Sequence, residues 1–374
     1  MWNRAPVTSS IRGFWSSPLS RQHIIVTGGA GFIGSHTVVD LVENGYEPIL
    51  IDDFSNSERG VLEGLAEICG RRLRCHEIDC RDTGAVDAVF REEAPIAGVI
   101  HFAAAKAVGE SQRRPLHYYA NNLGGLITML EVMASHGVSD LVFSSSCTVY
   151  GQPEKLPVTE QTPIAEPASV YGATKQLCEQ ILVDIVASQA NLRAVLLRYF
   201  NPIGAHPSAL IGELPLGDPQ NLAPIILQSA AGLRGPIQIY GDDWATPDGT
   251  CVRDYIHVLD LAAAHVKSLG WMARQTAGSL VETLNVGTGR GTSVREAIVA
   301  FERATGQTVE QTIGPRREGD IEQIYADVIK AERVLGWRAT RTIEDAMRDA
   351  WRWQQSLSPA ANEPAGAAAR GSHD

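Results

Sequence analysis

Tyr171 and Lys175 stand four residues apart in the run Tyr171-Gly172-Ala173-Thr174-Lys175. On a helix that spacing places both side chains on one face. A free phenol has a pKa near 10 and is a poor base at neutral pH, but a neighbouring ammonium favours the phenolate. Bringing the phenol down by about three units takes about 4 kcal/mol of differential stabilisation, which requires a partly enclosed site. The spacing alone is common by chance, and it gains meaning from a second run. Ser144-Ser145-Ser146-Cys147-Thr148-Val149-Tyr150-Gly151 follows an apolar stretch, so a hydroxyl falls at the carboxyl end of a strand. Such a hydroxyl can bond a reacting oxygen while Tyr171 takes its proton.

A third run, Gly28-Gly29-Ala30-Gly31-Phe32-Ile33-Gly34, follows an apolar strand and opens a helical pattern, the context a dinucleotide-binding turn requires. Gly28 allows the tight turn, Gly31 lets the backbone approach a pyrophosphate, and Gly34 permits close packing of helix on strand. The helix N-terminus offers N–H donors to the phosphates. Asp52, with Asp53 beside it, closes the next strand. A carboxylate there bonds a ribose diol and repels a 2′-phosphate, which favours NAD over NADP. Asp79, after the third strand, is in reach of the adenine. The positive nicotinamide ring of such a cofactor adds to the pull of Lys175 on the phenol.

The elements that must position these groups are legible as well. Apolar runs rich in β-branched residues occur at His23–Thr27, Pro48–Ile51, Leu73–Ile78, Val99–Phe102, Leu141–Ser144 and Ala194–Tyr199. Helical patterns such as Ile33–Asn44, Gly84–Glu93 and Leu116–Ser135 lie between them. Continuous apolar strands alternating with helices predict an α/β fold, a doubly wound parallel sheet with helices on both faces. After Phe200 the character changes: five prolines fall between Pro202 and Pro224. Long irregular connections of this kind are often functional. The division expected is a disordered extension at 1–21, a dinucleotide-binding domain at 22–200, a smaller mixed lobe for substrate at 201–355, with segments returning to the first domain, and a disordered tail at 356–374.

The 374 residues carry a formal net charge of −11, which argues against nonspecific nucleic-acid binding. No apolar stretch approaches the roughly 18 residues of a membrane span. The six cysteines form no C-x-x-C pair and no zinc spacing, so no metal is expected, and reduced thiols fit a cytoplasmic protein. The first 21 residues carry Arg4, Arg12 and Arg21 without an acid or a continuous apolar core, which argues against a secretory leader.

Serine, tyrosine and lysine downstream of the glycine turn match the hydride-transfer site of the short-chain dehydrogenase/reductases. From about His23 to Gln355 the chain resembles the UDP-glucose/UDP-galactose 4-epimerase family of that superfamily. The blocks that carry the resemblance are VTGGAGFIGSH, VIHFAAAKAVGES, FSSSCTVYG, YGATK, LRYFNPIGAHPS, DGTCVRDYIHV and RREGD, in family order. The resemblance implies Tyr171 as the base, Lys175 on the nicotinamide ribose and Ser146 on the sugar O4. It implies cofactor contacts at Phe32, Ile33, Asp52, Asn56, Ser57, Asp79, Cys80, Phe102, Ala103, Ala104, Lys106, Asn121, Ser144 and Phe200. On the substrate side it implies Asn201, Asn221, Leu222, Tyr240, Arg253, Arg317 and Asp320. Arg253 and Arg317 suit a diphosphate, because guanidinium forks two donors onto it. Lys106, beside an apolar strand end, reads as a phosphate or cofactor contact.

Ile324 occupies the family position near the sugar's C2 substituent, where tyrosine or a smaller residue tunes specificity, so N-acetylhexosamines enter as candidate substrates. A 4,6-dehydratase of the same superfamily commonly carries Asp-Glu after the serine; Cys147-Thr148 stand there instead. A UDP-pentose or UDP-uronate 4-epimerase shares the C4 chemistry and stays open. A non-catalytic NAD-sensing regulator typically loses the tyrosine or lysine, and this chain keeps both. The resemblance, with the helix over Leu116–Ser135, implies a homodimer.

Overall fold

The computed structural model describes residues 21–188, 191–317 and 319–357, so the expected extension and tail fall almost wholly outside the described residues. The strands are, in chain order, β1 (His23–Thr27), β2 (Glu47–Ile51), β3 (Arg74–His76), β4 (Ile96–His101), β5 (Asp140–Ser146), β6 (Arg193–Tyr199), β7 (Asn201–Ile203), β8 (Ile237–Tyr240), β9 (Val252–Arg253), β10 (Tyr255–His257), β11 (Leu280–Val286), β12 (Thr292–Ser293), β13 (Gln311–Gly314) and β14 (Gln323–Ile324). The helices are α1 (Phe32–Glu43), α2 (Gly60–Cys69), α3 (Thr83–Glu92), α4 (Val108–Arg113), α5 (Pro115–Ser135), α6 (Val170–Ala187), α7 (Leu222–Ala230), α8 (Val258–Met272), α9 (Val294–Thr305), α10 (Ile329–Leu335) and α11 (Ile343–Ser356), with a 3₁₀ turn at Cys147–Tyr150.

Seven strands form one parallel sheet in the order β11-β6-β5-β4-β1-β2-β3. Chain progression reverses between β1 and β4, which opens a crevice at their carboxyl ends. The reason the strands read as continuous apolar runs is visible in the packing. Ile24 and Val26 face α1 and α8, together with Leu41, Leu261 and Leu269, while Ile25 faces Phe90, Met129 and Met133 on the other side. Both faces of the sheet are covered, so neither set of alternating side chains can be polar.

Two sequence expectations change. The third strand is three residues, not Leu73–Ile78. The rhythm of strand and helix also does not end at Tyr199: β11 returns to pair with β6, residue for residue from Leu280↔Arg193 to Val286↔Tyr199. Its first half is only half-buried and carries Glu282 and Thr283, as an edge strand allows, and this hides it from a search for apolar runs.

The irregular connection after Phe200 leaves the carboxyl end of β6 and builds a separate core of Ile203, Ile226, Ile237, Ile239, Ile298, Phe301 and Met347. The short strands β9, β12 and β14 form a small sheet. A further apolar cluster joins the two halves: Val149, Tyr150 and Phe200 from the sheet side, Val158, Ile324 and Ala326 from the other. Among the described residues, no helix is long and apolar enough to cross a membrane, and no group of three or more His, Cys, Asp or Glu is placed to hold a metal ion.

Candidate active site

The glycine turn sits at the crevice. Gly28 adopts φ +66°, where an L side chain is strained, and its N–H donates to Ile51 O of the next strand. A Cβ at Gly34 would collide with the Gly28 carbonyl oxygen, so α1 can lie against the turn only without one. Gly31 is the N-cap of α1, and no side chain caps the helix. Its first-turn N–H groups, Phe32 and Ile33 among them, are therefore available to a phosphate, as a dinucleotide requires. Phe102, Ala103 and Ala104 follow β4 on the crevice's other wall, where Ala103 N donates to Thr27 Oγ1.

Asp52 is buried and organises this region. It accepts from Ala30 N (2.9 Å), Phe54 N (3.0 Å) and the Ser57 hydroxyl (2.8 Å). Burial raises its pKa, with those three bonds opposing. Of about four lone-pair directions one remains for a ribose hydroxyl. Asp53 is exposed and accepts from Ser55, and Asn56 is exposed. Asp79 is forked by Arg81, which lowers its pKa, and burial pushes the neighbouring Cys80 thiol up to about 12. Asn121 donates to Asn122.

The chemistry gathers where β5 ends. Ser169 caps α6 by accepting from Gly172 N at 3.0 Å, which places Tyr171 in the first turn and Lys175 in the second. Tyr171, Lys175 and Ser146 are 8%, 3% and 6% exposed. Lys175 Nζ donates to Ser144 O at 2.6 Å and lies 5.9 Å from the Tyr171 ring centroid. Ser146 Oγ accepts from Thr148 N (3.2 Å) and the Thr148 hydroxyl (3.0 Å). Those two bonds leave its own proton free to donate. The Ser144 hydroxyl pairs with Tyr199 OH at 2.6 Å.

Burial pushes the Lys175 ammonium down to about 8, opposed by Cys178 and Glu179. The Tyr171 phenol is pushed up, by burial first and Tyr199 next, while Ser146 pulls the other way. Enclosure is thus the largest influence on the phenol, and Ser146 is the group of the chain that opposes it.

Across the junction, β14 pairs with β9 so that Ile324 lies beside Arg253. The Arg253 charge acts on the Cys147 thiol, next to Ser146, and on Cys251, where Arg317 and Asp320 also act. Arg317 donates to Asp320 at 2.7 Å and stacks 5.4 Å over the Tyr240 ring. Asn201 opens β7, beside buried Phe200, and its N–H donates to Asp254 O. Asn221 stands just before α7, where Leu222 begins the helix, and its side chain donates to Glu213 Oε1 at 2.7 Å without capping the helix. Lys106 lies 3.8 Å from the same carboxylate. Ile324 is 2% exposed, within the junction cluster.

Several residues escaped the sequence reading. Thr148 orients Ser146, and Glu213 joins Lys106 to Asn221. Asn122 ties the Ala105 backbone to Thr174 of α6. Asp254, fully buried beside Arg253, accepts from Thr288, Gly289 and Ala326 and so fastens three segments. Only Thr148 had a local signal, the Ser-x-Thr spacing after a strand; the others act over long sequence separations.

A doubly wound parallel sheet, an uncapped glycine turn at its switch point and a buried tyrosine–lysine pair beside a serine define an extended short-chain dehydrogenase/reductase. The family model described as GDP-mannose 4,6 dehydratase matches residues 25–350. UDP-glucose 4-epimerase of Bacillus subtilis is 49% identical over 333 residues, 89% of this chain and 97% of that protein. Two solved structures align along nearly the whole fold. UDP-glucose 4-epimerase of Stenotrophomonas maltophila, with NAD and formylated UDP-arabinopyranose, is 48% identical, covers 91% of this chain and 100% of that one, and has a TM-score of 0.88. The Bifidobacterium longum enzyme with NAD+ and UDP is 46% identical, covers 90% and 99%, and has a TM-score of 0.85. The chain belongs to the UDP-glucose 4-epimerase family.

Proposed function

We propose that this enzyme interconverts UDP-glucose and UDP-galactose at C4, with Tyr171 Oη as the base. The observation that carries this reading is the convergence of Tyr171, Lys175 and Ser146 in one buried site whose rim holds Arg253. NAD, when bound, supplies the hydride acceptor and donor at C4 and a positive ring beside the phenol. The residues to hold it are the glycine turn, Asp52, Ser57, Phe102–Ala104 and Lys175.

The chain's own residues handle the proton and the anchor. Tyr171 Oη takes the O4 proton and returns it to the same oxygen. Ser146, whose oxygen is turned by Thr148, donates to O4 and keeps it aligned. Arg253 and Arg317 grip the diphosphate, so the 4-keto sugar can turn about that link and present its other face. Binding energy at this remote group retains the intermediate. The buried site excludes water that would otherwise solvate the phenolate.

Three finer assignments belong to the same reading. Ile324 forms the wall at the sugar's C2 substituent and leaves room for an N-acetyl group. Residues 22–200 bind the dinucleotide and 201–355 mainly the UDP-sugar, with β11 and α8 returning to the sheet. Two copies pair through α5 and α6, where Leu116, Ile127, Leu177 and Val183 are exposed apolar side chains on adjacent helices. The test is turnover of UDP-galactose to UDP-glucose by purified protein with no nicotinamide cofactor added. A requirement for added NADP, or no turnover by protein loaded with NAD, rejects the proposal.

A further inference from the structure

One face of α6 is matched to three consecutive serines of β5. Tyr171 faces Ser146, Lys175 donates to Ser144 O, and Glu179, four residues further on, accepts from the Ser145 hydroxyl at 2.5 Å. Glu179 is 4% exposed, and a carboxylate rarely lies so deep without a strong partner. The partner is Arg198 of β6, which donates to it through Nε (2.9 Å) and Nη2 (2.6 Å). Arg198 is itself 6% exposed. Its Nη1 donates to Tyr150 OH at 3.1 Å, and that hydroxyl donates to Asn285 Oδ1 at 2.6 Å. Asn285 donates on to Val158 O, and Val158 N bonds Tyr325 O, beside Ile324. The ion pair thus joins the catalytic helix to the strand end, the 3₁₀ turn and the substrate side.

Fold stability alone does not account for an ion pair here. Apolar residues of similar volume would pack at least as well, because desolvation offsets most of the Coulomb gain. What the pair supplies that they cannot is charge and register. We propose that Glu179, held by Arg198, is a positioning residue for Lys175: it fixes α6 against the serines of β5 and keeps the Lys175 ammonium charged within a buried site. The inference rests on the role given to Lys175 above.

The surroundings of Lys175 leave few other groups for this task. Tyr171 and Cys178 lie on its own helix, His101 on β4 beneath, Arg198 and Tyr199 on β6, and Cys147 and Tyr150 in the turn. Burial keeps His101 neutral, with a pKa of about 3, and pushes Cys178 up to about 11 and Cys147, Tyr150 and Tyr199 up to about 12. The Phe143 ring lies 4.9 Å from the ammonium and Ser144 O accepts from it, but both are neutral. Glu179 is therefore the negative charge one helical turn away, the distance at which side chains meet.

The test is the pH dependence of kcat with bound NAD measured in parallel, for the wild type, E179Q, E179D and K175M. E179Q is expected to retain NAD and to lose turnover at the alkaline end about one pH unit earlier than wild type, or more, as a nearby opposite charge implies. E179D, which keeps the charge, should hold the alkaline limb in place even where kcat falls. If E179Q alone does not fold, because Arg198 is left unpaired, the E179Q/R198Q variant should show the same shifted limb. One common factor of loss at every pH in the Gln variants, or an equal shift in E179D, overturns the proposal. K175M with wild-type turnover would instead reject the role of Lys175 itself.

Discussion

Three histidines inside the fold make its stability a function of pH in a calculable way. His36 on α1, His101 on β4 and His265 on α8 are each at most 2% exposed, and among the described residues the Nε2 atoms of His36 and His265 have no hydrogen-bond partner. Burial pushes their pKa values down from 6.5 to about 3, about 3 and about 4. A depressed folded-state pKa means that the unfolded chain takes up protons first. Stability is therefore complete above pH 6.5 and is lost as pH falls towards 3–4. At pH 5.5 each histidine costs about 1.4 kcal/mol, roughly 4 kcal/mol together, against a typical total of about 5–15 kcal/mol. Asp40, raised to about 6 by burial, and Asp52 and Asp254, also raised, work the other way, while His206, also lowered by burial, adds to the loss. A double difference removes the carboxylates. Urea unfolding of wild type and His265→Gln, at pH 7.5 and 5.5 with NAD and UDP saturating, should show the variant losing about 1.4 kcal/mol less on acidification. An equal loss in both proteins would mean that His265 is not held neutral by burial.

Arg253→Ala should weaken the charge-assisted grip on the diphosphate, worth about 1.5–3 kcal/mol, and raise KM and the UDP inhibition constant roughly 10- to 150-fold. Unchanged values of both would remove Arg253 from the diphosphate. UDP-N-acetylglucosamine should be epimerised more slowly than UDP-glucose, and Ile324→Tyr should lower that activity further and spare the hexose. Overpacking of about 1–3 kcal/mol predicts a roughly 5- to 150-fold loss on the N-acetyl sugar alone; equal losses on both sugars would return Ile324 to the core. Light scattering should give a dimer mass at micromolar concentration, and a monomer mass throughout would contradict pairing through α5 and α6.

The parts of the molecule that are readable in one dimension are those whose physics is local. The glycine turn needs only Gly28 and Gly34 within one strand–helix junction. Tyr171 and Lys175 need only helical spacing. The central strands show themselves because both faces are covered. What stays hidden is set by partners far away in the chain. The β11 strand reads as half-polar because its outer edge is uncovered. Glu179 lies on the buried face of α6, where charge breaks the apolar stripe that marks a helix, and its partner Arg198 comes from another element. Asp254 and Glu213 join segments many residues apart. The raised Tyr171 phenol is a property of enclosure, which no spacing records.

The central claim is that the Tyr171 hydroxyl carries the proton within an otherwise complete site. Tyr171→Phe removes that oxygen and little else, so the most direct measurement is single-variant turnover of UDP-galactose alongside the NAD released on denaturation. The expected result is a loss of roughly 10²–10⁴-fold or more in kcat with a full complement of NAD. Near-wild-type turnover by the NAD-loaded variant would contradict it.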